Sequence, residues 1–436
     1  MNVMDYSGEP HGVYFLIDNK SFYASCEAVK RGLNPLDVSL VVMSEQENTN
    51  GGLILATSPH AKKEYGLKAN VSRQRDLPQA NDLIVVPPRM NLYIQKNLQI
   101  NNIFRRFVPD EDLWPYSIDE SILDLTHSWR LFGKSPLQVA RIIQRTVRDE
   151  LGLYTTIGIG ENPVQAKIAL DVYAKKSSDL IGVINYGSVQ KKIWTINCLT
   201  DVWGIGRQTE KNLNRLGIYN MNDLAHANPF YLREHLGIIG WQLFATAWGV
   251  DRSDLEKPAQ VKEHSIGNSQ VLPRDYSNRS EIETVIKEIG EQVAARLRHR
   301  GKQTQCLALG IGFSYQSAQD DGREGFSLSR KIPPTNGNHD VVRELIAMFR
   351  SHWQGQVVRN IAVYTSRLST MRGQQLELFD PISQQIKKYD VDCTVDKIRE
   401  KFGFKSLVYA RSKLRGGTAI DRANLVGGHN GGNAYE

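Results

Sequence analysis

The sequence predicts an α+β protein of several domains, and three observations carry that reading. Between residues 13 and 160, short apolar runs rich in β-branched residues alternate with helical patterns, which suits a mixed sheet backed by helices. At 436 residues the chain exceeds what one hydrophobic core organises, so roughly two to four domains are expected. Two of the apolar runs meet at adjacent carboxylates, Asp119 and Glu120, which places acid at the tip of a hairpin.

Residues 13–17 read as a buried strand ending in Asp18, and Phe22 to Arg31 follow as helix. A charge at the exit of a buried strand costs free energy unless it is solvated, paired or bound to a metal. Residues 38–43 and 53–57 read as strands flanking the polar, Gly-containing loop 44–52, and a helix covers about 59–65. Residues 83–87 form the next strand. A helix over 92–107 follows, with Leu92, Leu98, Ile103 and Phe107 among its apolar positions. Leu113, Trp114, Tyr116 and Ile118 then lead into the acidic pair, and Ile122, Leu123 and Leu125 lead away from it. In the helix predicted over 136–151, Val139, Ile142, Ile143 and Val147 share one face. Residues 155–160 close the set as a strand. Asn162 as N-cap and Pro163 at the first helical position start another helix, whose stripe of Val164, Ile168 and Val172 leaves Lys167 to one side.

If Asp18 lies beside Asp119 and Glu120, three carboxylates crowd one spot and divalent cations best relieve the repulsion. Hard oxygen donors with no His or Cys cluster suit Mg²⁺, with Mn²⁺ as the alternative, rather than zinc. Two such ions about 3.5–4 Å apart serve in-line phosphoryl transfer. Taken alone, the Asp-Glu pair equally reads as turn polarity, and Asp18 as the cap of the next helix.

Downstream, residues 202–217 read as a helix-hairpin-helix element. Gly204 and Gly206 permit a tight turn, and its backbone N–H groups, with Arg207 at the head of the following helix, can hold a DNA phosphate without reading its base. Residues 251–262 read as a linker. A helix from Glu281 to His299 ends in Arg296, Arg298 and Arg300, which suit the helix dipole or, with Lys302, Arg330 and Lys331, a duplex backbone. Residues 386–404 suggest a short helix, and the Gly- and Asn-rich stretch 416–436 reads as mobile.

Hydrophobic content of 41% against 23% charged residues indicates a folded chain. No apolar stretch reaches the roughly 18–20 residues that span a bilayer, and residues 1–12 carry no signal peptide. The formal charge of +7 favours a polyanionic partner. Cys26, Cys198, Cys306 and Cys393 are too scattered for a metal site, and a reduced, cytoplasmic setting is expected.

The string from Asp18 and Asn19 through Phe22, Tyr23 and Glu27, followed a hundred residues later by Ser117-Ile118-Asp119-Glu120-Ser121, resembles the catalytic palm of the Y-family translesion DNA polymerases, closest to their error-prone UmuC/ImpB/MucB branch. The resemblance runs from about residue 13 to 370. It implies a right-hand polymerase: a ferredoxin-like palm (1–30 and 82–188), small fingers (31–81), a helical helix-hairpin-helix thumb (189–250), a linker (251–262), an α+β little finger (263–370) and a tail (371–436). It further implies template-directed, low-fidelity DNA synthesis in SOS-type damage tolerance, with Asp18, Asp119, Glu120 and the Asn19 carbonyl holding two Mg²⁺ ions. Phe22 would stack near the nucleotide sugar, Tyr23 would act as the steric gate, and Lys167, in an Ala-Lys-Ile-Ala match, would contact the β- and γ-phosphates. His60 and Lys63 stand where the family commonly places a triphosphate-binding Tyr and Arg, and Lys20 departs from the family's usual Asp or Asn. Gln375, Leu376, Leu378 and Phe379 resemble the peptide that binds the bacterial sliding clamp (its β subunit). Primer-template DNA and dNTP are the implied substrates, with a UmuD-like protein or RecA as further partners. No additional acidic constellation suggests a proofreading exonuclease. Two other classes are compatible with parts of the pattern: a nucleotide cyclase, which shares a two-metal palm but needs no helix-hairpin-helix, and a catalytically silent DNA- or clamp-binding protein.

Overall fold

The computed structural model describes residues 4–44, 52–255, 257, 264–371, 373, 376, 381–426 and 429–430. The first part of the chain runs β1 (Tyr14–Asn19), α1 (Phe22–Lys30), β2 (Leu40–Met43), β3 (Ile54–Thr57), α2 (Pro59–Tyr65), β4 (Ile84–Val86), α3 (Met90–Phe104), β5 (Leu113–Pro115), β6 (Glu120–Asp124), α4 (Pro136–Leu151), β7 (Thr155–Gly160), α5 (Pro163–Ile168) and β8 (Ile181–Val183). Local chemistry fixes these helices where the sequence predicts them. Ser58, Ser135 and Asn162 each accept a hydrogen bond from the backbone N–H three residues on, each is followed by proline, and Gly66 and Gly152 end α2 and α4 at positive φ.

The central sheet has the order β5-β6-β1-β7-β8, with β1 antiparallel to both β6 and β7. On one face Phe15, Ile17, Leu123 and Ile157 pack against α1, α3 and α4 through Cys26, Ile100, Phe104, Val139, Ile143 and Val147. On the other, Leu16 and Ile122 meet Ala166, Leu170 and Ala174. Glycine governs that second contact. A Cβ on Gly158 would lie 2.1 Å from the Ala166 carbonyl oxygen, and one on Gly160 would lie 2.4 Å from the Ala166 nitrogen. Bare strand backbone therefore lets α5 lie directly on the sheet. Beyond α5 the chain makes a π-helical turn, Ala169–Tyr173, and a 3₁₀ turn, Ala174–Lys176. A small sheet of order β3-β2-β4, with α2 over it, is inserted between α1 and α3.

A helical unit follows, with α6 (Val189–Lys192), α7 (Arg207–Arg215), α8 (Met221–His226), α9 (Pro229–Leu236) and α10 (Ile238–Ala247). Its core takes in Met4 and Tyr6 from the N-terminus, and Arg252, inside the expected linker, pairs with Glu9. The last unit runs β9 (Ile266–Tyr276), α11 (Arg279–His299), β10 (Lys302–Phe313), α12 (Tyr315–Asp321), β11 (Gly325–Thr335), α13 (Asn338–His352), β12 (Val358–Ser366), β13 (Ser369–Thr370), α14 (Ile382–Phe402) and α15 (Ala419–Arg422), with sheet order β11-β10-β12-β9.

Three expectations are corrected in this unit. The short helix expected over 386–404 is a 21-residue helix, α14. Residues 416–426 are packed rather than mobile: Thr418 is buried and donates to Glu288, Tyr276 donates to the Gly416 carbonyl, and Arg422 donates to Gln270. Arg298, offered for a duplex backbone, is only 5% exposed and holds Asp396 at 2.6 Å. Among the described residues, no helix is long and apolar enough to cross a membrane.

Candidate active site

The β1–β6 register sets Asp18 directly opposite Glu120, with Asp119 at the hairpin tip beside them. Several hydrogen bonds fix that tip. The Ser117 hydroxyl donates to Asp119 Oδ1 (2.7 Å) and accepts from the Glu120 N–H (2.9 Å). The Asn19 backbone and side-chain amides both donate to the Asp119 carbonyl at 2.9 Å. From α3, Asn97 donates to the Ile118 carbonyl (2.9 Å) and is itself held by Asn101, which also accepts from Ser121. Nothing in the apolar pattern of α3 marks these asparagines, whose one signal is their i, i+4 spacing on one helix face.

Cations meet the acid. Lys167 Nζ sits 2.8 and 3.0 Å from the two Glu120 oxygens and 3.3 Å from Asp171. Lys175 lies 2.7 Å from Asp171 and 3.7 Å from Asp18. Sequence reasoning missed both Asp171, which lies within the π-helical turn, and Lys175, which follows it; their one signal is the i, i+4 spacing that joins them to Lys167. Burial pushes the Asp18 carboxyl up to about 6; Lys175 opposes the shift, and the Asp119 and Glu120 charges add to it. Burial likewise lowers the Lys20 ammonium, with Asp18 holding it up and Lys62 and Lys175 pushing it down.

Among the described residues, no three Asp, Glu, His or Cys side chains stand close enough together to hold a metal ion as they are. The donor set nevertheless fits a divalent cation chemically. Asp18, Asp119 and Glu120 offer only hard oxygens, and Asn19 Oδ1 beside them is a buried acceptor with no hydrogen-bond partner.

Asp18, Asn19 and Asp119 form one wall of a cleft of about 720 Å³; Phe22 and Tyr23 form its floor, and Leu55 and Thr57 of β3, Lys62 of α2, and Lys68 and Asn70 just beyond that helix complete the lining. Tyr23 stacks on Tyr93, with ring centroids 4.3 Å apart and planes 11° from parallel. The Tyr93 hydroxyl in turn donates to Glu27, which also receives Arg89 and Arg31. His60 and Lys63 depart from expectation, since neither lines this cleft. The physical reason is the rotation of α2. His60 Nδ1 lies 2.9 Å from the Ser39 hydroxyl, the Tyr65 hydroxyl donates to Asp82, and Ala61 is fully buried, so the cleft receives Lys62.

At the other candidate contacts, Gly204 adopts φ +90 and Gly206 caps α7, leaving Arg207 exposed at its head. Trp203, beside them, makes an edge contact with Tyr116 of the acidic hairpin, 6.2 Å between centroids. Arg330 is exposed and pairs with Glu344 of α13 at 3.1 Å, on the helix side of the sheet, whereas Lys331 projects to the opposite side of β11. Gln375, Leu378 and Phe379 lie outside the described residues, while Leu376 lines a recess with Ile332, Pro333 and Tyr389.

The geometry agrees with what comparison shows. Residues 17–171 match the impB/mucB/samB family and residues 263–378 match the C-terminal domain of that family. The chain is 38% identical to a putative UV-damage repair protein, UvrX, of Bacillus subtilis (strain 168), over 98% of this chain and 100% of that one. It is 35% identical to DNA polymerase IV 2 of the same organism, over 96% of this chain and 98% of that one. Its fold is similar to a solved Y-family polymerase chimera, Dbh-Dpo4(243-245)-Dbh, with a TM-score of 0.65 and 20% identity, covering 81% of this chain and 98% of that structure. The chain therefore belongs to the impB/mucB/samB family, the UmuC-like branch of the Y-family DNA polymerases.

Proposed function

We propose that this protein extends a primer opposite damaged template bases with low fidelity, within the cell's damage response. The observation that carries the reading is the placement of Asp18 and Asp119 on one wall of a cleft whose floor is Phe22 and Tyr23, with Glu120 directly opposite Asp18 on the neighbouring strand. The primer 3′-hydroxyl attacks the α-phosphate of a dNTP and pyrophosphate leaves. Asp18, Asp119 and Glu120, with the Asn19 carbonyl, would hold two Mg²⁺ ions, or Mn²⁺ in their place. When bound, these ions supply the positive charge that activates the attacking oxygen and stabilises the leaving group.

This chain's own residues do the rest by positioning. Lys167 passes from Glu120 to the β- and γ-phosphates, where a buried ammonium is worth more than at the surface. Asp171 keeps Lys167 and Lys175 near the site while the carboxylates are empty. Tyr23, backed by Tyr93, closes the floor against a ribose 2′-hydroxyl. Gly204, Gly206 and Arg207 grip a duplex phosphate, and Lys331 adds charge on the outer sheet. We take the palm, fingers, thumb and little finger as divided in the sequence analysis, with residues 381–426 added to the little finger. The peptide at 375–379 engages a sliding clamp, and a UmuD-like protein or RecA acts with the enzyme in the cytoplasm.

Single-nucleotide incorporation on a primed template tests the reading. We expect dNTP incorporation with strong exclusion of rNTP, and at least about a tenfold loss of that exclusion in Tyr23→Ala. Nucleotide consumption that needs no primer would replace this reading with a cyclase.

A further inference from the structure

We propose that Asn162 and Gln165 are positioning residues for DNA synthesis: together they hold the Gly249 carbonyl, where the chain leaves the helical unit, and keep that unit's grip on the duplex in register with the carboxylates. The inference rests on the polymerase reading above and deepens it.

Both residues serve first as parts of a helix start. Asn162 Oδ1 caps α5 by accepting from the Gln165 N–H at 2.9 Å, and Gln165 Oε1, at the third helical position, accepts from the Glu161 N–H at 3.0 Å. Aspartate and glutamate would do this equally well, since capping needs only the acceptor oxygens. The amides add N–H donors, and the structure uses them. Asn162 Nδ2 donates to the Gly249 carbonyl at 2.8 Å and Gln165 Nε2 donates to the same oxygen at 2.9 Å, with both residues fully buried. Asn162 Nδ2 also donates to the Tyr186 hydroxyl (3.0 Å), which donates onward to the Pro10 carbonyl (3.1 Å).

The far side of this joint is equally fixed. Gly249 follows α10 at φ +65 with its N–H bonded back to Thr246, and a Cβ there would lie 2.9 Å from Val189 and 3.2 Å from Ile193. The neighbouring Trp248 carbonyl accepts from the Tyr6 hydroxyl at 3.1 Å, and Arg252 pairs with Glu9. Three segments therefore meet here. Residues 4–12 lead into β1 and Asp18; α5 carries Lys167 to Glu120 across the bare backbone of Gly158 and Gly160; and the helical unit bears Gly204, Gly206 and Arg207. Buried hydrogen bonds are costly to leave unmade, so the joint holds one geometry. A primer gripped by the helical unit then stands at a set distance from the reacting groups, and rates fall steeply when reacting atoms are misplaced by about an ångström.

The test is single-turnover incorporation of one dNTP on a primed template. The full chain is in excess over DNA, so the rate is read per bound primer and any loss of folded protein does not enter. Asn162→Asp and Gln165→Glu keep the capping oxygens and remove the donors, and Asn162→Ser does so without adding charge. Each is expected to lower the maximal rate about tenfold, while the dNTP concentration giving half that rate and the Kd for primer-template stay within about threefold. The double variant Asn162→Ser, Gln165→Glu should fall no more than about threefold below the slower single variant, because both donors serve one oxygen. Ser135→Ala, which strips the cap of α4, lowers stability without touching the joint and should keep the rate within about twofold of wild type. Rates within about twofold of wild type in Asn162→Ser and Gln165→Glu, or an equal fall in Ser135→Ala, overturn the inference while the polymerase reading stands. Absence of incorporation by the wild type sinks the polymerase reading and this inference with it.

Discussion

Glu27→Ala should be among the most damaging single substitutions in the first unit. Glu27 is fully buried, with a side chain 0% exposed against 16% for Arg89 and 34% for Arg31. It accepts from Arg89 at 3.0 and 2.6 Å, from Arg31 at 2.5 Å and from the Tyr93 hydroxyl at 2.9 Å. Alanine would strip two guanidinium groups of their shared carboxylate and a buried hydroxyl of its acceptor. Breaking a buried ion pair from one side costs about 3–5 kcal/mol, a large part of a domain's total stability of about 5–15 kcal/mol. Because the chain has several units, native-state hydrogen exchange in α1 and α3 reads the loss locally. The same variant should narrow the preference for dNTP over rNTP, since Tyr93 backs Tyr23. A drop of less than about 1 kcal/mol in the opening free energy of those helices would refute the reasoning. The pH dependence gives a second check. Burial raises the Glu27 carboxyl, but the Arg89, Arg31 and Tyr93 hydrogen bonds together bring it below its ordinary value of 4.5. A depressed carboxyl contributes stability that is present above that value and is lost as pH falls through the folded one. Wild type should therefore lose stability relative to Glu27→Gln on acidification below 4.5.

Other outcomes follow from the packing. Gly158→Ala should destabilise by about 1–3 kcal/mol in thermal unfolding and cut incorporation, because its Cβ would lift α5, and Lys167 with it, off the sheet. Arg298→Ala should free α14 from α11: limited proteolysis should cut within residues 382–402 well before the rest of the unit, and equal rates for both proteins would count against the docking. Removal of divalent metal by chelation should abolish incorporation, and Mg²⁺ or Mn²⁺ should restore it where Zn²⁺ does not.

The parts of this protein that were legible in its sequence are those whose signal is local. The run of residues 13–17 and its terminal Asp18, the amphipathic stripe of α4 and the Asn162-Pro163 start of α5 each specify their element within a few residues, and all three are found in place. The acidic hairpin was legible for the same reason: apolar residues on both sides leave only the tip for Asp119 and Glu120.

What escaped depends on distant partners. α14 has one buried residue, Asp392, so it shows almost no apolar stripe; it is held instead by charge, with Arg298 reaching it across 98 residues of chain to Asp396. Gly416 and Gly417 read as loop composition, yet a Cβ on Gly416 would lie 2.6 Å from Glu281 and one on Gly417 would lie 2.6 Å from the Ser412 carbonyl oxygen. These glycines permit close packing rather than motion. The orientation of α2 was equally hidden, since it is set by Ser39 and Asp82, residues outside the helix. The π-helical turn after α5 has no sequence signature, and Lys175, just beyond it, lies 3.7 Å from Asp18.

The central claim is that Asp18, Asp119 and Glu120 form the metal site of a DNA polymerase that copies damaged templates. Extension of a labelled primer across an abasic site, with Mg²⁺ and all four dNTPs, tests it most directly when wild type and Asp119→Ala are compared. The account predicts extension past the lesion by wild type and its loss in the variant. Extension undiminished in Asp119→Ala, or none by the wild type even on undamaged template with a sliding clamp supplied, would contradict it.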